Sequence, residues 1–166
     1  MASVYVGTWS KYNRGNLYGA WIDLEEHDEH SFNQEIHELH SDEDDPEFLN
    51  MDWEGVPDGM VTENGIEPEL WDWLELNEDE RQIVEGFREL VGEDEDIDTA
   101  LEMFAGEYPT PEDFAEEFMD EIGYTENLPD WIRNHIDWKG VWCGELRHDY
   151  GYTKVNGSLF FYRTTY

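Results

Sequence analysis

Forty-three carboxylates in a chain of 166 residues offer acid–base chemistry at almost any spacing. Pairs of acids at glycosidase separation must then arise by chance, so composition nominates no catalytic acid or nucleophile. Calcium is a sharper test. Asp94, Asp96 and Asp98 match positions 1, 3 and 5 of an EF-hand loop, but Thr99 stands where the turn needs glycine and Ala105 where the loop needs a bidentate glutamate. The motif fails, and only loose, unspecific binding of divalent ions to an acidic surface is expected. His27 with His30, and His37 with His40, resemble paired metal ligands, yet no cysteine accompanies them and the second pair falls at a helix end. They are expected to be solvated among acids. Cys143, the single cysteine, is expected to be a small buried residue rather than a nucleophile, with His135 and His148 near it only in sequence. No phosphate-cradling or dinucleotide-binding glycine loop occurs. The motifs therefore imply no cofactor, no metal site and no catalytic centre. The eight tryptophans could stack sugars, but core packing is their expected use in a chain poor in aliphatics.

What the acids can do collectively depends on where they sit. Against nine basic side chains they leave a formal charge of −34, which excludes phosphate binding through Lys and Arg and hence nucleic acid as a partner. From Asp23 to Asp130, 40 acids face two bases, Arg81 and Arg88, while the two flanks together hold three acids and seven bases. A charge confined to one contiguous span looks directed at a basic partner, because self-repulsion of that size weakens the compact state. Disorder would be the ordinary outcome for so charged a chain. Twenty-five aromatic residues, each able to bury roughly 150–250 Å², argue instead for a folded core. One cysteine cannot staple the fold, and neither a leader nor an apolar run of about 20 residues is present, so a soluble cytoplasmic protein without membrane contact is expected.

The elements that must hold these acids can be read from periodicity. Val4, Val6 and Thr8 alternate with Tyr5, Gly7 and Trp9, which predicts an opening strand, a turn over residues 11–16, and an antiparallel partner over 17–24. Ser31 followed by Gln34 has the form of a capping box and predicts a helix over 31–40, and residues 48–53 predict a third strand. Leu70, Trp71 and Leu74 mark a short helix after Pro68; Ile83, Val84, Phe87, Leu90 and Val91 mark a longer one ending at Gly92. Asp98 would cap another through Phe104. Thr110, Pro111 and Asp113 form a helix start that runs to Gly123, and a further helix from Pro129 carries Trp131, Ile132 and Ile136. Asn156-Gly157 predicts a type I′ turn between two closing strands, the last over residues 158–166. The fold class expected is α+β in three small units: a β-rich N-terminal unit over 1–62, a helical acidic unit over 63–108, and an α+β unit with a hairpin over 109–166.

The helix over 112–122 suggests how charge is ordered. Phe114, Ala115, Phe118, Met119 and Ile122 form an apolar stripe, and the pairs Glu112/Asp113, Glu116/Glu117 and Asp120/Glu121 recur every fourth residue. Two carboxylates then arrive about every 6 Å of helix. One DNA strand advances about 3.4 Å per phosphate, so the linear densities nearly agree. Like charges four apart weaken an isolated helix, which points to a partner that supplies Lys and Arg. Thirty-four charges correspond to about 58 Å of duplex, longer than the about 40 Å diameter of a compact globule of this length, and this favours units strung along a rod.

Residues 4–24, "VYVGTWSKYNRGNLYGAWIDL", resemble the opening of the ArdA antirestriction proteins, and residues 113–142, "DFAEEFMDEIGYTENLPDWIRNHIDWKGVW", are similar to that family's antirestriction-motif region and the segment after it. The short C-terminal hairpin ending in an aromatic residue also fits. The resemblance implies an elongated, curved, homodimeric DNA mimic, carried by mobile elements, that occupies the DNA-binding groove of type I restriction-modification enzymes. It places the dimer contact in the third unit, with Phe118, Ile122 and Tyr124 as its expected residues. The expected mimic surface comprises Asp42, Asp44 and Asp45 in the first acidic loop, Glu69 and Asp72, Glu78 and Asp79, the run Glu93, Asp94, Glu95 and Asp96, and Glu112, Glu116, Glu117, Asp120 and Glu121 on the acidic helix. Two other classes stay open: an acidic module that antagonises another basic DNA-binding protein, and an acidic hydrolase with one strongly perturbed carboxylate.

Overall fold

Alternation at the N-terminus becomes strand β1, Ser3–Thr8, which turns Val4 and Val6 into a core where neither is exposed. Thr8 then caps a one-turn helix α1, Trp9–Asn13, by accepting from Lys11 N, so half of the expected turn is helical. Strand β2, Ala20–Asp23, is shorter than the run of residues that predicts it. Its missing half is held by side chains instead: Tyr5 Oη donates to Leu17 O at 2.9 Å and Tyr18 N to Asn16 Oδ1 at 3.0 Å. Helix α2, Glu29–Leu39, begins two residues before Ser31. Asp28 is its N-cap and Ser31 the reciprocal partner in the box, each side chain accepting from the other's backbone N–H. Strand β3, Phe48–Glu54, completes an antiparallel sheet of order β2-β1-β3, with a bulge opposite Tyr5 and Val6.

The computed structural model describes residues 1–165; Tyr166, the end of the expected last strand, lies outside them. Two compact units are present, Met1–Asn77 and Glu78–Tyr166. In the first, a two-residue pair of strands, β4 (Val61–Thr62) and β5 (Gly65–Ile66), is pinned to β3 because Asn50 donates its backbone N–H to Glu63 O and its side-chain amide to Thr62 O, both at 2.9 Å. Helix α3, Glu69–Glu75, meets α2 through Trp71 and Phe32, whose ring centroids lie 5.5 Å apart.

The second unit begins with α4, Glu78–Val91, whose buried residues Val84 and Phe87 follow the expected spacing. Gly86 lets the sheet come close: a Cβ there would stand 2.5 Å from Tyr162 Oη, which donates to Ile83 O at 2.6 Å. Helix α5, Ile97–Met103, is capped by Asp96, not Asp98, and stops before Phe104 because that residue joins strand β6, Phe104–Tyr108. The sequence predicts helix through Phe104; the pairing with the last strand is what the local pattern lacks. Helix α6, Pro111–Glu121, has the expected Thr110 cap and leading proline. The helix expected after Pro129 is one turn only, α7 (Asp130–Arg133), and a separate helix α8, Trp138–Gly144, follows with Asp137 as its cap. Strands β7, Tyr150–Val155, and β8, Ser158–Arg163, form the hairpin about Asn156-Gly157, and the sheet runs β6-β8-β7. The class is α+β, with eight α-helices and three antiparallel sheets among the described residues.

The core of the second unit is aromatic. Phe114 stacks on Phe161 with centroids 4.5 Å apart and planes 7° from parallel, and Tyr108, Trp142 and Tyr150 surround it. Tryptophan use departs from the expectation of core packing: Trp73 and Trp142 are buried, but Trp21, Trp53 and Trp131 are exposed. Cys143 is exposed as well, because the buried face of α8 is taken by Trp142. No helix among the described residues is long and apolar enough to cross a membrane.

Candidate functional site

Acids of the second unit are ordered most clearly on α6. Its buried side carries Phe114 and Ala115, with Phe118 packed on Phe114 and Tyr150 at centroid distances of 5.8 and 5.3 Å. That packing fixes the rotation of the helix and splits its acids into two columns. Asp113, Glu117 and Glu121 are exposed, whereas Glu112, Glu116 and Asp120 are half-buried. The columns differ in charge too. Arg133, from the end of α7, forks onto Asp120 with contacts of 2.6 and 2.5 Å and reaches Glu116 at 3.4 Å. Thr125 Oγ1 also donates to Asp120, and Arg133 donates to Thr125 O at 3.1 Å. The guanidinium and then the Thr125 hydroxyl hold Asp120 below the ordinary aspartate range. Among the described residues the outer column carries no such cation, and its members are spaced by about 6 Å.

A second internal sink lies in the first unit. Lys11 is buried, and its Nζ donates to His40 Nδ1 at 2.9 Å, to Asp42 at 2.8 Å and to Glu43 at 2.9 Å. Thr8 Oγ1 donates to Glu43 at 2.7 Å, and the His40 ring, accepting from lysine, donates Nε2–H to Val6 O at 3.1 Å. His40 is wholly buried, which corrects the expectation of solvated histidines. Burial opposes the Lys11 charge, but the bonds to Asp42 and Glu43 prevail and raise its pKa, while the same lysine lowers theirs. His40, Asp42 and Glu43 have the ligand spacing of a metal site, within 4.8 Å of one another, and the cation they enclose is this ammonium.

The remaining acids of the expected surface fall into place around these two sinks. Asp44 and Asp45 are exposed in the loop after α2, and Asp72 is exposed on α3 beside half-buried Glu69. Glu78 and Asp79 lie exposed in the first turn of α4, where the helix dipole favours them. Glu93 and Asp94 are exposed, Glu95 is half-buried and offers its carbonyl to Arg88, and Asp96 is an N-cap whose pKa is lowered by the Thr99 backbone N–H and hydroxyl. Crowding also has the opposite effect: burial, then the Glu78 charge, raises Glu85. Sequence reasoning missed Lys11, Glu43, Thr125 and Arg133 as the groups that spend charge internally. The only signal for them is scarcity, since every base in such a chain has many acids to choose from.

Of the residues named for self-contact, Ile122 and Tyr124 are 47% and 75% exposed at the C-terminal end of α6, while Phe118 is partly covered by its own core. All three line one shallow groove with Met119, Leu146 and Tyr150. Such a surface, with carboxylates outward and apolar residues grouped at one end, can pair with cations and with another protein.

The chain matches the model of the antirestriction protein ArdA over residues 4–160. It belongs to the ArdA family. An antirestriction role follows from that membership, and the match extends through the acidic middle of the chain, between the two stretches that carry the resemblance. No curated protein matches this ArdA-family chain.

Proposed function

We propose that this protein is a catalytically inert DNA mimic that enters the DNA-binding groove of type I restriction-modification enzymes and blocks them. The observation that carries this reading is the distribution of charge on a folded scaffold: 43 acids against nine bases, with at least two of those bases, Lys11 and Arg133, consumed internally. Exposed carboxylates at fixed positions replace phosphates, and the enzyme's lysines and arginines form charge-assisted pairs with them. The mimic surface is drawn from the acids between Asp42 and Glu121 named above, its exposed members leading and Asp42, Glu116 and Asp120 already sharing Lys11 or Arg133, and it acts collectively, since one exposed ion pair is typically worth about 0–1 kcal/mol. Steering by the whole field makes association fast and salt-sensitive.

The working form in this reading is a cytoplasmic homodimer joined through Ile122 and Tyr124, with Phe118 beneath them. Their grouping on one exposed end of α6 supports the contact. Tyr124→Glu is expected to shift the sedimentation of the protein from dimer to monomer; an unchanged mass would remove this contact from the proposal. Restriction inhibition itself is tested by adding the protein to a purified type I enzyme with its specific duplex. Displacement of the duplex at low salt supports the mimic, and failure at any excess refutes it.

A further inference from the structure

We propose that the outer face of the β2-β1-β3 sheet is a stacking shelf for arginine side chains of a basic protein partner. The existence of such a partner rests on the mimic reading above; the chemistry of the shelf does not. One face of this sheet is packed, with Val4, Val6 and Ile22 buried. On the other face Leu49 is covered opposite Gly7, Tyr5 pairs across the strands with Trp21 on one side and Asp52 on the other, and Ser3, itself buried and donating its hydroxyl to Glu54 at 3.1 Å, pairs with Asp23 and Glu54 in the same way. Directly opposed residues share a face, so an aromatic row ending in a carboxylate lies beside a row with a carboxylate at each end, about 7 Å away.

The aromatic row is rigid, half-buried at Tyr5 and open at Trp21 and Asp52. Tyr5 is anchored by its hydroxyl on Leu17 O, its ring lies 5.8 Å from Trp21 at 70°, and Trp21 remains 48% exposed. Single exposed apolar residues are ordinary on a surface. A half-exposed indole held edge-to-face on tyrosine, with acids in register around it, is a different arrangement. A guanidinium fits it because the planar cation stacks on an aromatic face while its N–H groups fork onto carboxylates, whereas an ammonium is a compact charge that does not stack. Between Met1 and Asn77 there are 20 acidic and two basic side chains, so the field draws a partner's arginines to this unit.

The test uses the full chain with octa-arginine and octa-lysine peptides, measured by calorimetry at two salt concentrations. Both peptides match the acids in charge, and only the first can stack. Wild type is expected to prefer octa-arginine, and Trp21→Leu, which keeps apolar cover but removes the π face, is expected to cut that preference about three- to tenfold while leaving octa-lysine unchanged. Trp21→Tyr restores it. An equal preference in wild type and Trp21→Leu, or no preference in wild type, overturns the proposal. So does a change of sedimenting mass in Trp21→Leu with the peptide ratio intact, which would make this face a contact between copies. Failure to displace DNA from a restriction enzyme would refute the mimic reading and leave the peptide ratio untouched.

Discussion

Lys11 and Arg133 show what a cation does in so acidic a chain: each is drawn to two carboxylates, one at a strand–helix junction and one behind α6. Their effect on stability has a definite sign with pH. Asp42, Glu43 and Asp120 are lowered in the native state, so the stability they supply is full above the ordinary carboxylate values, about pH 4, and is lost as pH falls through the lower native values. Glu85 is raised, so its ionised form weakens the fold at neutral pH and that penalty disappears in acid. Urea midpoints at pH 7, 5 and 3 check both. Asp120→Asn should be less stable than wild type at pH 7 with the gap closing by pH 3, and Glu85→Gln more stable at pH 7 with its gap closing likewise. A gap that widens in acid for either variant would contradict the assignment. None of these roles is legible in the sequence, where Arg133 stands 13 residues beyond Asp120 and Lys11 well before Asp42. They depend on closures that only packing defines.

At the scale of elements, most signals carried within a few residues hold, although the caps of α2 and α5 are Asp28 and Asp96 rather than Ser31 and Asp98, and elements that need a distant partner are not legible. Thr110 and Pro111 announce α6, Asn156-Gly157 announces the last hairpin, and the periodicity of α4 needs no neighbour to be seen. Strand β6 and helix α8 were missed because Phe104 and Trp142 take their state from Tyr162 and Phe114, which lie far along the chain. The core of the second unit turns on those distant rings. Truncating Phe114→Ala removes a fully buried ring stacked on Phe161 and should cost about 3–5 kcal/mol in equilibrium unfolding, enough to leave a domain of this size marginal. Helix α6 also yields a prediction for the surface. Neutralising the exposed column together, Asp113→Asn with Glu117→Gln and Glu121→Gln, should flatten the dependence of enzyme binding on salt, while Glu117→Gln alone should change affinity less than about fivefold. An equal loss from the single and triple variants would mean that one carboxylate, not a row, is recognised.

Over the whole molecule the acidic composition was legible from the first line and the family from two stretches of residues, with the match running from 4 to 160. What composition could not convey is that the charge is not uniform: part of it is folded inward on lysine and arginine, and the remainder stands on helix faces and loops turned outward by an aromatic core. A net charge of −34 held in this way favours any strongly basic groove. The most direct measurement is competition between this protein and a specific duplex for a purified type I restriction enzyme across a salt series. The mimic account predicts complete displacement of DNA at low salt, with affinity falling steeply as salt rises. Persistent DNA binding at saturating protein, or inhibition that is indifferent to salt, would contradict it.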